Sequence, residues 1–229
     1  MPTSSTAERL APPATFRDVC LLKARWRGEA DMRRLRAQRE QVALRKAHVP
    51  VWFVGAPEAE GARELGRRVW ERCVQDAAAW PSRVCPGLYA VGDAGLGKTW
   101  CAYGAALAAV RGGASASVMT ERRFLDLYAE VLRDREAVAW MGMLGGLGLL
   151  CLDDVGKADP RGRDLPRLFE IIDRRVEQGM PTVVTTQLER PDLAAWMEAA
   201  SPQTAEAMAS RLKRLRVMRF EGEDRRVHG

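Results

Sequence analysis

The 229-residue chain has no apolar run of about 18 residues, so no membrane-spanning helix is expected. It also lacks the basic-then-apolar opening of a secretory signal; MPTSSTAERLAPPAT reads instead as a disordered lead-in. Cysteine is sparse. The five residues Cys20, Cys73, Cys85, Cys101 and Cys151 are odd in number and nowhere spaced C-x-x-C, which argues against a disulfide framework and against a zinc site. Cys101 and Cys151 fall in apolar runs and read as small core residues. A reducing, cytoplasmic setting fits. No internal repeat is visible. The net charge of +6 is concentrated between Arg17 and Lys46, where ten Lys/Arg face four Asp/Glu, and the rest of the chain is close to neutral. Such an element suits nucleic acid, an acidic partner surface, or simply a solvated helix face. The length fits one large domain, or one domain with a small appendage. A domain of this size buries roughly 70% of its unfolded surface and needs no covalent staples.

What the chain does have is GLYAVGDAGLGKT at Gly87–Thr99. Gly92, Gly97, Lys98 and Thr99 fit G-x-x-x-x-G-K-[ST] at every fixed position. Glycines let the backbone turn tightly and aim successive N–H groups at a phosphate. The lysine reaches the β- and γ-phosphates, and the threonine hydroxyl is a ligand for Mg²⁺. Leu88–Val91 reads as a short buried strand and the Ala-rich Trp100–Val110 as a helix whose N-terminus faces the anion. The phosphate-binding segment is therefore Gly92, Asp93, Ala94, Gly95, Leu96, Gly97, Lys98, Thr99 and Trp100, and the cofactors expected are ATP and Mg²⁺.

Around it, Thr15–Lys46 reads as one or two amphipathic helices, with Gly28 a possible break and Met32, Leu35 and Val42 on a shared face. So basic a helix needs something to pack on. His48–Pro57 (HVPVWFVGAP) reads as an apolar connector kept out of helix by Pro50 and Pro57. Its Val49, Pro50 and Phe53 suit either a wall for the nucleotide base or plain core packing. Glu58–Trp80 is expected to be helical, with Leu65, Val69 and Cys73 on one stripe. Strands are expected at Gly87–Val91, Ala114–Thr120, Leu147–Asp153, Thr182–Thr186 and Leu215–Phe220. Helices are expected at Glu121–Trp140, Asp164–Gln178 (capped by Gly179), Asp192–Ala200 and Thr204–Arg214. The alternation predicts an α/β fold with a five-stranded parallel sheet between helices.

Asp153 and Asp154 are expected to close the third strand, about 55 residues after Lys98, where an acid holds Mg²⁺ facing the loop and a second acid takes a proton from water. Thr185, Thr186 and Gln187 close the fourth strand, where a polar group could orient that water or merely form a turn. Arg211, in SRLKRL, is placed to act as an arginine finger on a neighbouring subunit's nucleotide, with Arg214 the alternative.

HVPVWF, GLYAVGDAGLGKT, LLCLDDVG, PTVVTTQL and ASRLKRL occur in an order and spacing that resembles the DnaC/IstB-like AAA+ ATPases, from about Val49 to Phe220. The resemblance implies an AAA+ P-loop core over 81–229 with no helical lid, a connector and helix over 48–80 near the nucleotide, and a basic docking segment over 15–47 after a lead-in at 1–14. It implies Lys98 and Thr99 as the Walker A pair, with Thr99 and Asp153 at the metal. Asp154 would be the catalytic acid, where Glu is more usual, and Gln187 would stand where a sensor Asn is common. Arg211 would be a finger supplied in trans, and Val49, Pro50 and Phe53 would lie near the adenine. It implies an ATPase that self-associates through shared ATP sites and places a hexameric replicative DNA helicase on single-stranded DNA. Left open are a transposition helper and a nucleotide-gated adaptor that does not hydrolyse. The segment Glu121–Trp140 would then face single-stranded DNA through Arg122 and Arg123, or pair its charges along its own surface; Arg17–Lys46 is the competing DNA-binding arm.

Overall fold

The computed structural model describes residues 16–81, 84–159, 165–200 and 202–224. The lead-in expected over residues 1–14 lies outside them. The chain divides into two units, Met1–Glu40 and Gln41–Gly229. Helix α1 (Phe16–Lys46) runs without interruption, so Gly28 is not a break. Met32, Leu35 and Val42 on it are exposed.

Two proline-based expectations fail in the same way. Val51–Gly55 (α2) is a helical turn whose N-cap is Pro50, and Pro57 opens a 3-10 turn, Pro57–Ala59. Proline disrupts a helix interior, where its ring clashes with the preceding turn, but is tolerated at a start. Helix α3 (Glu60–Ala78) follows, burying Val69 and Cys73. It crosses the Ala-rich α4 (Lys98–Arg111) at backbone distance: a methyl on Gly104 would come within 2.4 Å of Ala62 O.

The core is a five-stranded parallel sheet of β1 (Gly87–Val91), β2 (Ala116–Thr120), β3 (Leu149–Val155), β4 (Thr182–Thr186) and β5 (Arg216–Arg219), in the order β2-β3-β4-β1-β5. Both faces are covered, so β3 alternates between two cores. Leu150 and Leu152 join Phe124, Phe169 and Ile172 on one face; Leu149 and Cys151 join Phe53, Ala102 and Ala106 on the other. A strand buried on both sides must be apolar throughout, which is why LGLLCL carries no alternation. The free edge of β2 is partly covered by the connector, with Val118 N–H donating to Ala47 O at 2.9 Å.

The helix expected over Glu121–Trp140 is two helices, α5 (Glu121–Arg133) and α6 (Ala137–Gly145). Arg135 adopts φ 62° between them, and Glu136 N–H and Arg135 N–H donate back to Val131 O and Leu132 O. This is a Schellman stop with arginine where glycine is usual. Helices α7 (Leu165–Glu177), α8 (Arg190–Ala200) and α9 (Pro202–Leu212) complete the unit. Among the described residues no helix is long and apolar enough to cross a membrane.

Candidate nucleotide-binding site

The loop between β1 and α4 leaves the carboxyl end of a strand inside the sheet, where parallel α/β sheets bind ligands. Gly97 takes φ 91° as the N-cap of α4, a conformation that a side chain there would strain. Lys98 is only 6% exposed and donates to Gly92 O at 2.7 Å and Asp93 O at 2.6 Å. Burial pulls its ammonium below the usual lysine range, and the Asp154 and Asp153 carboxylates oppose that shift. The lysine is thus a desolvated cation held against loop carbonyls, which a phosphate could replace.

The acids do not close β3 as expected; the strand continues to Val155 and bulges at them. Leu152 pairs with Val184, yet Val155 pairs with Thr186, so Asp153 and Asp154 together oppose Thr185. Asp154 sits at φ 58°. Bulges re-aim side chains beside active sites, and a left-handed non-glycine residue costs on the order of 1–3 kcal/mol that the surroundings must sustain. Thr185 supplies much of that support. Its hydroxyl donates to Asp153 Oδ1 and accepts from Asp154 N–H at 3.0 Å.

Asp153 is buried, and Thr99 Oγ1 lies 2.9 and 3.1 Å from its two oxygens, donating to the nearer. Burial pushes the Asp153 carboxyl up, with the Thr185 and Thr99 hydroxyls pulling it back. One hydroxyl and one buried carboxylate are hard oxygen donors of the kind Mg²⁺ takes beside phosphate oxygens and water. The residues therefore fit that ion. Asp154 is half-buried and ion-paired to Lys157 Nζ at 2.9 Å.

Gln187, exposed just beyond β4, lines an open cleft of about 370 Å³ with Gly92, Asp93, Arg219 and Phe220. Arg211, at the end of α9, pairs with Asp173 at 2.8 Å and with Glu177, both on α7 of its own chain. Val49 and Phe53 are core residues, 3% and 0% exposed, and the Phe53 ring lies edge-on to Trp100 and Tyr103. The exposed aromatic of that group is Trp52, 53% exposed and 5.6 Å from the Trp100 ring. Arg122 is exposed and lies 3.9 Å from Asp126, at the start of a helix capped by Thr120.

Sequence reasoning missed Glu121. It is 2% exposed, and its Oε2 accepts from the N–H groups of Lys157 and Ala158 at 2.9 and 2.8 Å, fixing the turn after the acids. Nothing in the sequence distinguishes it from any acid opening a helix. Thr185 and Lys157 were visible as residues, but their partners arise only from the bulge.

No curated protein sequence matches the chain. Among solved structures it is similar to AMPPCP-bound DnaA from Aquifex aeolicus (18% identity, TM-score 0.55, covering 68% of this chain and 47% of that one). A replication initiator DnaA bound to AMPPCP and single-stranded DNA aligns at 17% identity and TM-score 0.55, over 68% of this chain and 44% of that one. DnaI aligns at 18% identity and TM-score 0.52, over 68% of this chain and 81% of DnaI. The chain thus spans less than half the length of those DnaA chains, and likeness at this identity establishes the fold alone, a five-stranded parallel sheet between helices with the phosphate loop after β1. The family model described as IstB-like ATP binding protein matches residues 82–228, more than half of the sequence, from ahead of the phosphate loop to beyond β5. The chain belongs to the IstB-like ATP-binding protein family.

Proposed function

We propose that this protein is an ATPase whose nucleotide cycle drives the placement of a hexameric replicative DNA helicase on single-stranded DNA. The observation that carries the ATPase reading is the convergence of Lys98, Thr99, Asp153 and Asp154 at the carboxyl ends of β1 and β3, with Thr185 joining both acids. Lys98 exchanges its loop carbonyls for phosphate oxygens. Thr99 and Asp153 would hold Mg²⁺, which supplies charge neutralisation to the phosphates when bound. Asp154, released from Lys157, accepts the proton of the attacking water. Gln187 is suited to orient that water from the cleft rim.

Arg211 is held by carboxylates in its own chain, so a role at phosphate is one it takes up at a neighbouring copy, exchanging Asp173 and Glu177 for an anion. The basic helix α1 is the docking element for the helicase, and Arg122 and Arg123 on α5 are suited to the DNA backbone. The family match favours a second reading, a transposition helper, in which α1 binds duplex DNA.

Steady-state ATP hydrolysis tests the core of the proposal. Asp154→Asn and Arg211→Ala should each lose turnover while retaining nucleotide binding, and a mixture of the two should regain part of it at interfaces that combine an intact acid with an intact arginine. A mixture as inactive as its components would overturn the shared site. Co-purification with a hexameric helicase, against retention on duplex DNA, separates the two partner readings.

A further inference from the structure

The chain beyond β5 turns back across the phosphate loop. Phe220 N–H donates to Val91 O at 2.7 Å, which extends the β1 pairing by one residue and leads the tail over the loop. Gly92 and Gly95 meet that tail directly. A methyl on Gly92 would lie 2.2 Å from Phe220 O, and one on Gly95 would lie 1.7 Å from Asp224 Oδ1 and 2.6 Å from Oδ2. The Asp224 carboxylate is therefore packed against the centre of the loop, with no room for even a methyl between them. Gly222, at φ 125°, makes the bend that brings it there. The intervening residues add charge of the same sign, Glu221 and Glu223. At the base of the tail Arg219 is tied to Glu189 at 2.9 Å.

A loop built to bind polyphosphate concentrates positive potential from its N–H groups, from the N-terminus of α4 and from Lys98. A carboxylate is drawn by the same field. We propose that Phe220–Asp224 is an autoinhibitory strap, in which the Asp224 carboxylate competes with nucleotide phosphates for the phosphate loop, so that nucleotide binds only when the strap has swung away about Gly222. The inference rests on the reading of this loop as a nucleotide site. Its consequence is a coupling between nucleotide state and the path of the C-terminal segment. A strap that closes the loop lowers apparent affinity by the fraction of molecules in which it is open. Because the clash is one of like charge, the penalty grows with the charge of the ligand.

The test uses full-length protein and fluorescent analogues of ATP, ADP and AMP at fixed salt. Asp224→Ala and Asp224→Asn should bind the ATP analogue at least about five-fold more tightly than wild type, with a smaller gain for ADP and the smallest for AMP. Lys98→Ala serves as the control for the site itself. If wild type binds ATP in a Lys98-dependent way while both Asp224 variants bind equally or more weakly, the strap is refuted and the nucleotide site stands. If none of these proteins binds any of the nucleotides, the site reading fails and the strap fails with it. Hydrogen exchange gives a second readout: a saturating slowly hydrolysed ATP analogue should speed exchange over 221–224, and slowed exchange there would mean that the tail closes on nucleotide rather than yielding to it.

Discussion

A buried charge from a neighbouring element is hydrogen-bonded to a threonine near each end of strand β4, and the two are treated differently. At its start Arg175, fully buried, donates from Nε to Thr182 Oγ1 at 3.1 Å and from its terminal nitrogens to Leu144, Gly145, Leu147 and Pro181 carbonyls at 2.6–3.1 Å. Three of those carbonyls lie at or just past the end of α6, where helix carbonyls lack intrahelical partners and favour a cation. Burial still lowers the guanidinium to about 10, but every contact is matched and the backbone there is regular. Near the other end Asp153 is held by two hydroxyls with its carboxyl pushed up, beside a left-handed Asp154 in a bulge. A charge buried for structure is saturated with partners. One suited to function keeps lone pairs and strain in reserve.

The largest expected effect breaks the saturated end. Arg175→Leu leaves Gly145 O and Leu147 O without their donor, while Pro181 O and Leu144 O keep only the N–H groups of Leu150 and Leu147, and the loss should be on the order of 2–5 kcal/mol, about 1–3 for each orphaned carbonyl. Urea unfolding of the full chain measures it. A loss below about 1 kcal/mol would mean that water or rearrangement satisfies those carbonyls and that the contrast between the two ends is smaller than the contacts imply.

How much of this was legible beforehand follows the same division. The phosphate loop is contiguous, and each of its residues has its task within a short stretch of chain, so the sequence displays it. The sheet follows from apolar runs between breakers. Helix ends were legible where the cap uses its usual residue or where a proline-bearing apolar stretch follows. The stop after α7 has Gly179 at φ 65°, with Met180 N–H reaching Arg175 O, and the composition announces it. The stop after α5 uses the same hydrogen bonds with Arg135 in the left-handed position, so nothing announced it; the stop after α1 uses them with His48, and there the helix ends at Lys46 as expected. LLCLDDVG reads as a strand ending at the acids because a bulge has no compositional mark when its extra residue is aspartate. Arg175 and Glu121 were invisible as buried charges, because their partners are backbone groups brought up from other elements.

A smaller effect sharpens the contrast from the site end. Thr185→Val keeps the shape but removes the donor to Asp153 and the acceptor for Asp154 N–H, which should cost about 1–3 kcal/mol. The loss should depend on pH. Without that donor the Asp153 carboxyl rises further above its unfolded value. A group so raised contributes stability that is present below the unfolded pKa and is lost as pH rises through the folded one. The variant should therefore lie further below wild type at about pH 8 than at about pH 5. An equal deficit at both would assign Thr185's role to the amide of the bulge and not to the carboxylate.

Glu121 carries the smallest expected effect and lies between the two cases. Its Oε2 is satisfied by two backbone N–H groups, while its Oε1 is buried with no hydrogen-bond partner. Burial pushes its carboxyl up; the Ala158, Lys157 and Gly156 N–H groups pull it back, and Asp154 adds to the rise. The folded protein therefore holds this proton more tightly than the unfolded chain does. The stabilisation from proton uptake is complete below the ordinary glutamate pKa and fades as pH rises through the folded value. Glu121→Gln keeps an oxygen for Lys157 N–H and Ala158 N–H and removes the charge. Relative to wild type it should gain stability as pH rises from about 4.5 to about 8, by less than about 1 kcal/mol in all, read as a difference in thermal midpoint across that range. A variant less stable than wild type by a constant margin would show instead that the carboxylate charge itself holds the Gly156–Ala158 turn. Glu121 would then belong with Arg175, as a charge the fold cannot do without, although one of its oxygens has no partner.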